Sequence, residues 1–419
     1  MHVRLHPEDY KGYDALGAAY IQKGRETADV SYDELARQAL NKSLDLVSND
    51  PGAVSAKTHM AVVAMAEHQF EEAIAWAQKA LALGAGDPTP WAIMGDALTD
   101  LGQYDEAATA YARLLGPDGA QEPGTAYEHD SRVAYLAFLK GKSQDSKNLM
   151  RAAIASASAL HLPQENIAWS QYQLGDICFR SGDLQCAESA YQAGLEVQPD
   201  SYRNLAGLGE LRAAQGRYPE AIELLKRALG IVPFPMYAAA LYDLEIKAGH
   251  PDEAAKEYQL IQFICGLNPI NERLFYRELA LFYADHGFKL EESVALARKE
   301  LEVRQDINTW DILAWVLYKN NRTEEAAQAM QKALAPGTED ALLDFHAGMI
   351  EASRGNPEQA RMLLQRALAL NPQFHPLHSD EARQTLASLA SPPIQHETAP
   401  VTDARPASIA AVSNPKGRN

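Results

Sequence analysis

Residues 168–201 read AWSQYQLGDICFRSGDLQCAESAYQAGLEVQPDS, and residues 202–235 read YRNLAGLGELRAAQGRYPEAIELLKRALGIVPFP. Laid one on the other without a gap, they bring Leu174-Gly175 onto Leu208-Gly209, Gly182 onto Gly216, Ala187 onto Ala221, Tyr191 onto Leu225 and Pro199 onto Pro233, a shift of 34 residues. Self-similarity at such a period marks an array in which each unit buries its apolar face against its neighbours. In the second half of a unit, as in Tyr218 to Leu229, apolar residues recur at three- and four-residue spacing with few β-branched side chains, which predicts a helix. Pro199 and Pro233 cannot extend that helix and mark its end. Gly175 and Gly209 let a second, antiparallel helix approach closely, so each unit is expected to be a helical hairpin.

The theme recurs upstream in Trp91, Met94-Gly95, Tyr104, Ala107 and Tyr111, and downstream in Trp310, Leu313-Ala314, Ala326, Met330 and Ala333. Small residues at Gly17, Ala61, Ala280 and Gly348 extend the register to both ends. This spacing, an aromatic, then a large-small pair, then a small residue and an aromatic with three residues between them, then proline, resembles the tetratricopeptide repeat family over roughly residues 9–389. The resemblance implies an all-α superhelical solenoid of about ten helical hairpins. The units are expected at about 9–53, 54–87, 88–121, 122–167, 168–201, 202–234, 235–269, 270–306, 307–340 and 341–374. The first carries extra residues between its helices around Gly24 to Val30. The fourth is stretched by Gly116 to Gly124, which leads into helices at Ser131 to Leu139 and Lys147 to Leu160. A soft division is placed there, giving N-terminal units in 1–121 and the remaining units in 122–389, where Asp380 to Leu389 forms a capping helix. Residues 390–419 hold Pro392, Pro393, Pro400, Pro406 and Pro415 and few large apolar residues, the pattern of a disordered tail.

Composition narrows the partners. Among 419 residues 47% are apolar and 22% charged, and 38 basic against 56 acidic side chains leave a formal charge of −18. That sign repels polyanions, and no basic cluster compensates, so nucleic acid is not an expected ligand. Runs such as Ala61 to Ala66 are far shorter than the roughly 20 apolar residues of a membrane span. Met1 to Lys11 has no signal-peptide pattern, which points to the cytoplasm, or to export if a leader has been removed. Cys178 and Cys186 fall on opposite helices of one hairpin among apolar or small neighbours and are expected as free buried thiols.

A stack of hairpins presents a concave groove lined by first helices, and function in such folds lives on that surface. The register places Asp96, Asp100, Tyr172, Asp176, Phe179, Arg180, Glu210, Asp243, Lys247, Arg277, Asp285, Asp311, Trp315, Tyr318 and Lys319 in it. Carboxylates recur at one register as Asp96, Asp176, Glu210 and Asp243, and Trp315, Tyr318, Tyr172 and Phe179 are the expected anchors. Such a lining suits a protein or peptide segment with basic and apolar side chains. Some members of the family hold a C-terminal carboxylate in a clamp of Lys and Asn. Here Asp176, Glu210 and Asp243 stand where asparagine would be needed, so that ligand is not expected.

Enzyme signatures are absent: no His-Glu-x-x-His, Gly-x-Ser-x-Gly, Gly-x-Gly-x-x-Gly or phosphate loop occurs among the 12 histidines and 26 glycines, so no catalytic residue or cofactor is assigned. His375 and His378, followed by Asp380 and Glu381, read as surface histidines rather than metal ligands. Asp285-His286 reads as a helix end before Gly287, and His346 beside Phe345 as a packed or hydrogen-bonded histidine. The expectation is a non-catalytic interaction scaffold that uses its groove. The alternatives are a structural subunit of a larger assembly that uses convex or edge-loop surfaces, and an enzyme or metal-binding protein whose site is dispersed over repeats.

Overall fold

The computed structural model describes residues 2–47, 50–84, 86–115, 123–267 and 274–390. Most of the Gly116 to Gly124 segment, the division at 121, Pro269 and the tail from 391 lie outside the described residues. Every regular element among them is helical, and no described helix is long and apolar enough to cross a membrane. Ten hairpins follow one another: Tyr10–Thr27 with Ser31–Val47, Val54–Ala66 with Phe70–Leu83, Thr89–Asp100 with Tyr104–Ala112, Pro123–Leu139 with Ser143–Ala159, Gln164–Arg180 with Leu184–Val197, Tyr202–Ala214 with Tyr218–Ile231, Pro235–Lys247 with Pro251–Gly266, Tyr276–His286 with Leu290–Val303, Ile307–Lys319 with Thr323–Leu334, and Ala341–Ser353 with Pro357–Leu370. They are units 1 to 10 below, and His378–Ala390 is the capping helix.

Local chemistry sets the helix ends. Asp183, Asp306 and Asp340 accept from the backbone N–H of Cys186, Thr309 and Leu342, satisfying donors that a helix start leaves open. Within a hairpin the small residue of the first helix is the seat of a large one from the second: a Cβ at Gly95 would overlap the Tyr111 ring, and one at Gly175 the Tyr191 ring, which is 2% exposed. Part of the insertion in unit 1 lengthens a helix, and the described helices of unit 4 are longer than expected. The first helix of unit 1 runs on to Thr27, and the helices of unit 4 have 17 residues each, starting earlier than expected at Pro123 and Ser143. Unit 5 likewise starts at Gln164.

Cys178 and Cys186 are joined in a disulfide, not free as expected from their apolar neighbours. The tight turn between Arg180 and Leu184 brings their Cα atoms to 5.7 Å, within bridging range.

The array coils tightly enough to touch itself. The turn inside each of units 3, 4 and 5 rests on the loop that follows the unit five places on. Gln305 N–H donates to the Asp100 carbonyl at 2.9 Å, and Ile307 N–H donates to the Tyr104 hydroxyl at 3.0 Å. Thr338 Oγ1 donates to the Leu139 carbonyl at 2.6 Å, and Asn371 Nδ2 to the Phe179 carbonyl at 2.8 Å. Arg304 meets Asp100 at 3.2 Å, and Arg180 meets Asp340 at 2.7 Å. Unit 1 obeys the same rule, with Ala28 packed against the cluster that holds Tyr202 and Phe234 after unit 6. Gly102, Gly141 and Gly182 sit in the left-handed region at these contacts, and a Cβ on any of them would strike the carbonyl of Gln305, Gly337 or Leu370. Gly216 has the same φ sign with nothing near its Cβ position.

That pair separates backbone strain from docking. Gly216→Ala is expected to lose about 1–2 kcal/mol, the cost of a left-handed alanine, whereas Gly182→Ala is expected to lose at least about 2 kcal/mol more because the turn must also leave its seat. Urea denaturation compares the two, and equal losses would mean that the turn-on-loop contact contributes nothing.

Candidate functional site

Coiling turns the expected open groove into a partly enclosed hollow that stays open to solvent. First helices of units 5 to 10 surround a cavity of about 480 Å³, closed on one side by the contact of unit 5 with unit 10. The inward positions of the first helices line it, so Tyr172, Asp176, Phe179 and Arg180 of unit 5 share the space with Glu210 of unit 6, Asp243 of unit 7, Arg277 and Asp285 of unit 8 and Asp311 of unit 9. These are the residues of the sequence-derived set that the structure brings together. Asp340 and His346 of unit 10 and Phe374, His375 and His378 of the connector complete the wall.

The other members lie elsewhere. Asp96 accepts from Arg132 and from the Tyr111 hydroxyl, both at 2.9 Å, a strut between units 3 and 4. Asp100 belongs to the self-contact with Arg304. Lys247 is spent on the Pro376 carbonyl and Asp380, which fastens the capping helix. Tyr318 and Lys319 are half-buried outside the cavity wall, with the Lys319 ammonium 5.2 Å from the Trp315 ring. Trp315 has no exposed surface, so it offers a partner no face and is not the surface anchor expected of it. Its indole donates to Asp285 at 2.6 Å and stacks on His346 at 4.2 Å, supporting the wall from behind. The register alone misplaces it because the 371–378 connector and the capping helix cover the inner face of units 9 and 10, with the His378 ring 5.6 Å from the indole.

Four histidines form a second feature of the wall. His286 lies 3.0 Å from Asp243, and His346 Nδ1 2.9 Å from Asp311, with His346 only 1% exposed. His378 is gripped between Asp285 at 3.5 Å and Glu381 at 3.1 Å. Neither His375 nor His378 is the exposed surface residue expected: His378 is buried, His375 half-buried, and the two rings stack at 4.4 Å. Asp285-His286 is likewise more than a helix end, since both face the cavity. Proline-rich context hid this, because Pro372 and Pro376 suggested a surface connector whereas the chain there turns inward beneath unit 10. Burial opposes charge here, but the Asp285 and Glu381 carboxylates push the His378 imidazole up to about 9. Burial and the neighbouring His378 charge hold His375 well below the usual histidine range. Its Nδ1 accepts from the N–H groups of Leu377 and His378, which fixes the neutral tautomer.

Glu210 stands apart. It has neither hydrogen bond nor ion pair among the described residues, and although it meets the water of the cavity, desolvation by the enclosing protein and then the Asp176 charge push its carboxyl up to about 7. Among the described residues the one group of metal-type ligands whose donor atoms lie within 4.8 Å of one another is Cys178, Asp183 and Cys186, and there the two sulfurs are bonded to each other.

Residues 172–234 and 313–374 match the profile described as tetratricopeptide repeat. No curated protein matches the chain. Among solved structures it is similar to a tetratricopeptide repeat protein from Parabacteroides merdae, at 18% identity over 64% of this chain and 100% of that one with a TM-score of 0.35. It is also similar to the human IFIT1 dimer with PPP-AAAA, at 16% identity over 86% of this chain and 95% of that one with a TM-score of 0.45.

The raised Glu210 pKa makes a signed prediction. Its folded value lies above the unfolded one, so the folded state holds the proton more tightly, and Glu210's contribution to stability is full below about 4.5 and lost as pH rises towards about 7. Glu210→Gln is therefore expected to raise the melting temperature at pH 8 and to leave it unchanged at pH 4. Differential scanning calorimetry at both pH values checks this, and a variant less stable at pH 8 would show Glu210 to be paired.

Proposed function

Because this chain belongs to the tetratricopeptide repeat family, we propose that it is a non-catalytic interaction scaffold that takes a basic or partly apolar segment of a partner protein against the inner wall of units 5 to 10. The observation that carries this reading is the composition of that wall. Seven carboxylates face two guanidiniums there, and Tyr172, Phe179, Phe282 and Phe374 supply aromatic surface beside them. A negative, low-dielectric hollow concentrates cations and speeds their encounter, while the aromatics furnish buried area and faces for cationic groups. A second cavity of about 450 Å³ shares Met236, Arg277 and Glu278 with the first and continues towards Arg25 and Arg203. The two adjoining spaces give a short segment room that one alone does not.

A second reading rests on the outer surface of unit 7. Phe263 is 64% exposed and Leu267 52%, side by side at the end of Pro251–Gly266, where an apolar partner surface would cover them. In that reading the solenoid is a structural subunit held by its convex face.

One experiment separates the two. Partners are captured on the immobilised chain and the dominant one is retested against Glu210→Gln with Phe179→Ala, and against Phe263→Ala. The inner-wall reading expects the first variant to weaken capture by more than about tenfold, the scale of losing hot-spot contacts, with Phe263→Ala unchanged. The opposite pattern would move the interface to the convex face.

A further inference from the structure

We propose that Cys178, Asp183 and Cys186, once the bridge between the two cysteines is reduced, form a binding site for a single thiophilic divalent cation of the zinc class. Disulfide and metal are then alternative staples of one hairpin, selected by the redox state of the surroundings.

The turn of unit 5 brings the three groups together. Cys178 lies in the last turn of Gln164–Arg180 and Cys186 in the first turn of Leu184–Val197, the helix that Asp183 caps. One ligand atom from each residue lies within 4.8 Å of the other two, and the cysteine Cα atoms stand 5.7 Å apart. Zinc holds thiolate sulfur at about 2.3 Å and carboxylate oxygen at about 2.0–2.2 Å in a tetrahedron, which sets its ligand atoms about 3.6–3.8 Å apart. The donors are already gathered to nearly that span, and only the two sulfurs must part.

The surroundings fit the charge. Two thiolates and a carboxylate exceed a divalent ion by one negative charge, and two cations border them. Arg151 Nη2 donates to Cys186 Sγ at 3.5 Å, and Lys147 Nζ to Asp183 Oδ2 at 3.3 Å. Cations beside a thiol favour the thiolate, which is the form that binds metal. Asp183 Oδ1 accepts the Cys186 N–H at 3.2 Å, which orients the carboxylate as an outer-shell bond does. Solvent reaches one side: Cys178 has no exposed surface, while Asp183 and Cys186 line a shallow depression with Gln171, Gln185 and Ser189. Three protein ligands leave a fourth position for water, which the depression supplies. Soft thiolates select zinc-like ions over magnesium or calcium.

Reduction is a balanced exchange with a dithiol. Its thiolate attacks the accessible Cys186 Sγ, and the S–S bond breaks with its electron pair on Cys178. The second thiolate of the reductant then displaces Cys186 and closes its own disulfide. The two protons of the dithiol end on the cysteines and leave for solvent when the cation binds. Position gives the site its consequence. Between the cysteines lie the Phe179 carbonyl that accepts from Asn371 and the Gly182 that seats on Leu370, so the cross-link at this closure outlasts reduction wherever the metal is present.

The test uses the full chain, reduced with dithiothreitol, freed of it under argon and titrated with Cd²⁺ at neutral pH. One ion is expected per chain, with a dissociation constant of about 1 μM or tighter and a thiolate-to-metal charge-transfer band in the ultraviolet that the oxidised chain lacks. Cys186→Ser is expected to abolish the band, and Asp183→Asn to weaken binding by at least about tenfold. Cys265→Ser, at the one free cysteine, is expected to change neither. Asparagine still caps a helix, so Asp183→Asn keeps the fold, which circular dichroism verifies. A reduced chain without the band, a band that survives Cys186→Ser or is lost in Cys265→Ser, or an affinity that Asp183→Asn leaves unchanged would overturn the site.

Discussion

The contact of the turns of units 3, 4 and 5 with the loops five units further on governs the shape of this molecule. A repeat array is held together by neighbour on neighbour alone, and its superhelical pitch is otherwise set by small rotations at each interface. Here backbone carbonyls on one turn of the coil accept from the next, from the Gln305 N–H on Asp100 and from the Thr338 and Asn371 side chains on Leu139 and Phe179. Those bonds need a close approach, which glycine at 102, 141 and 182 permits. Their consequence is topological: the inner faces of units 5 to 10 curve into a wall around a partly enclosed space.

Enclosure in turn sets the electrostatics. Carboxylates that would be solvated on an open concave face are drawn into a confined space where ionisation is more costly. The fold answers by pairing most of them, with arginine across the closure between Arg180 and Asp340 and with histidine around Asp243, Asp285 and Asp311. Glu210 is left out of this pairing and bears the result in its raised pKa.

What the sequence made legible follows from what a local repeat encodes. Period, helix pairing and the seats of Tyr111 and Tyr191 over Gly95 and Gly175 all lie within one hairpin, so the 34-residue register reveals them. The same register groups Asp96, Asp176, Glu210 and Asp243; the last three line one wall, while Asp96 pairs with Arg132 and Tyr111 between units 3 and 4. It cannot distinguish Gly182 from Gly216, which look alike in sequence, because only one of them meets a chain segment some 190 residues away. It also ranks Trp315 as an open anchor, because nothing within unit 9 shows that the stretch from Asn371 to His378 folds back over it. The histidine cluster was hidden for that reason. The disulfide was missed on a different ground, since apolar neighbours around Cys178 and Cys186 describe burial and say nothing of the turn geometry that joins them.

The hollow therefore depends on the coil touching itself, and a distance across that contact tests this most directly. Gln103, beside the turn of unit 3, and Gln305, in the loop after unit 8, are both exposed and suited to spin labels introduced at cysteine, with Cys265 buried. Double electron–electron resonance on the Gln103→Cys, Gln305→Cys protein is predicted to give one narrow distribution below about 25 Å, the span of two labels on elements packed at roughly 8–10 Å. A broad distribution centred well beyond that length would show an open solenoid, and the hollow between units 5 and 10 would then have no physical basis.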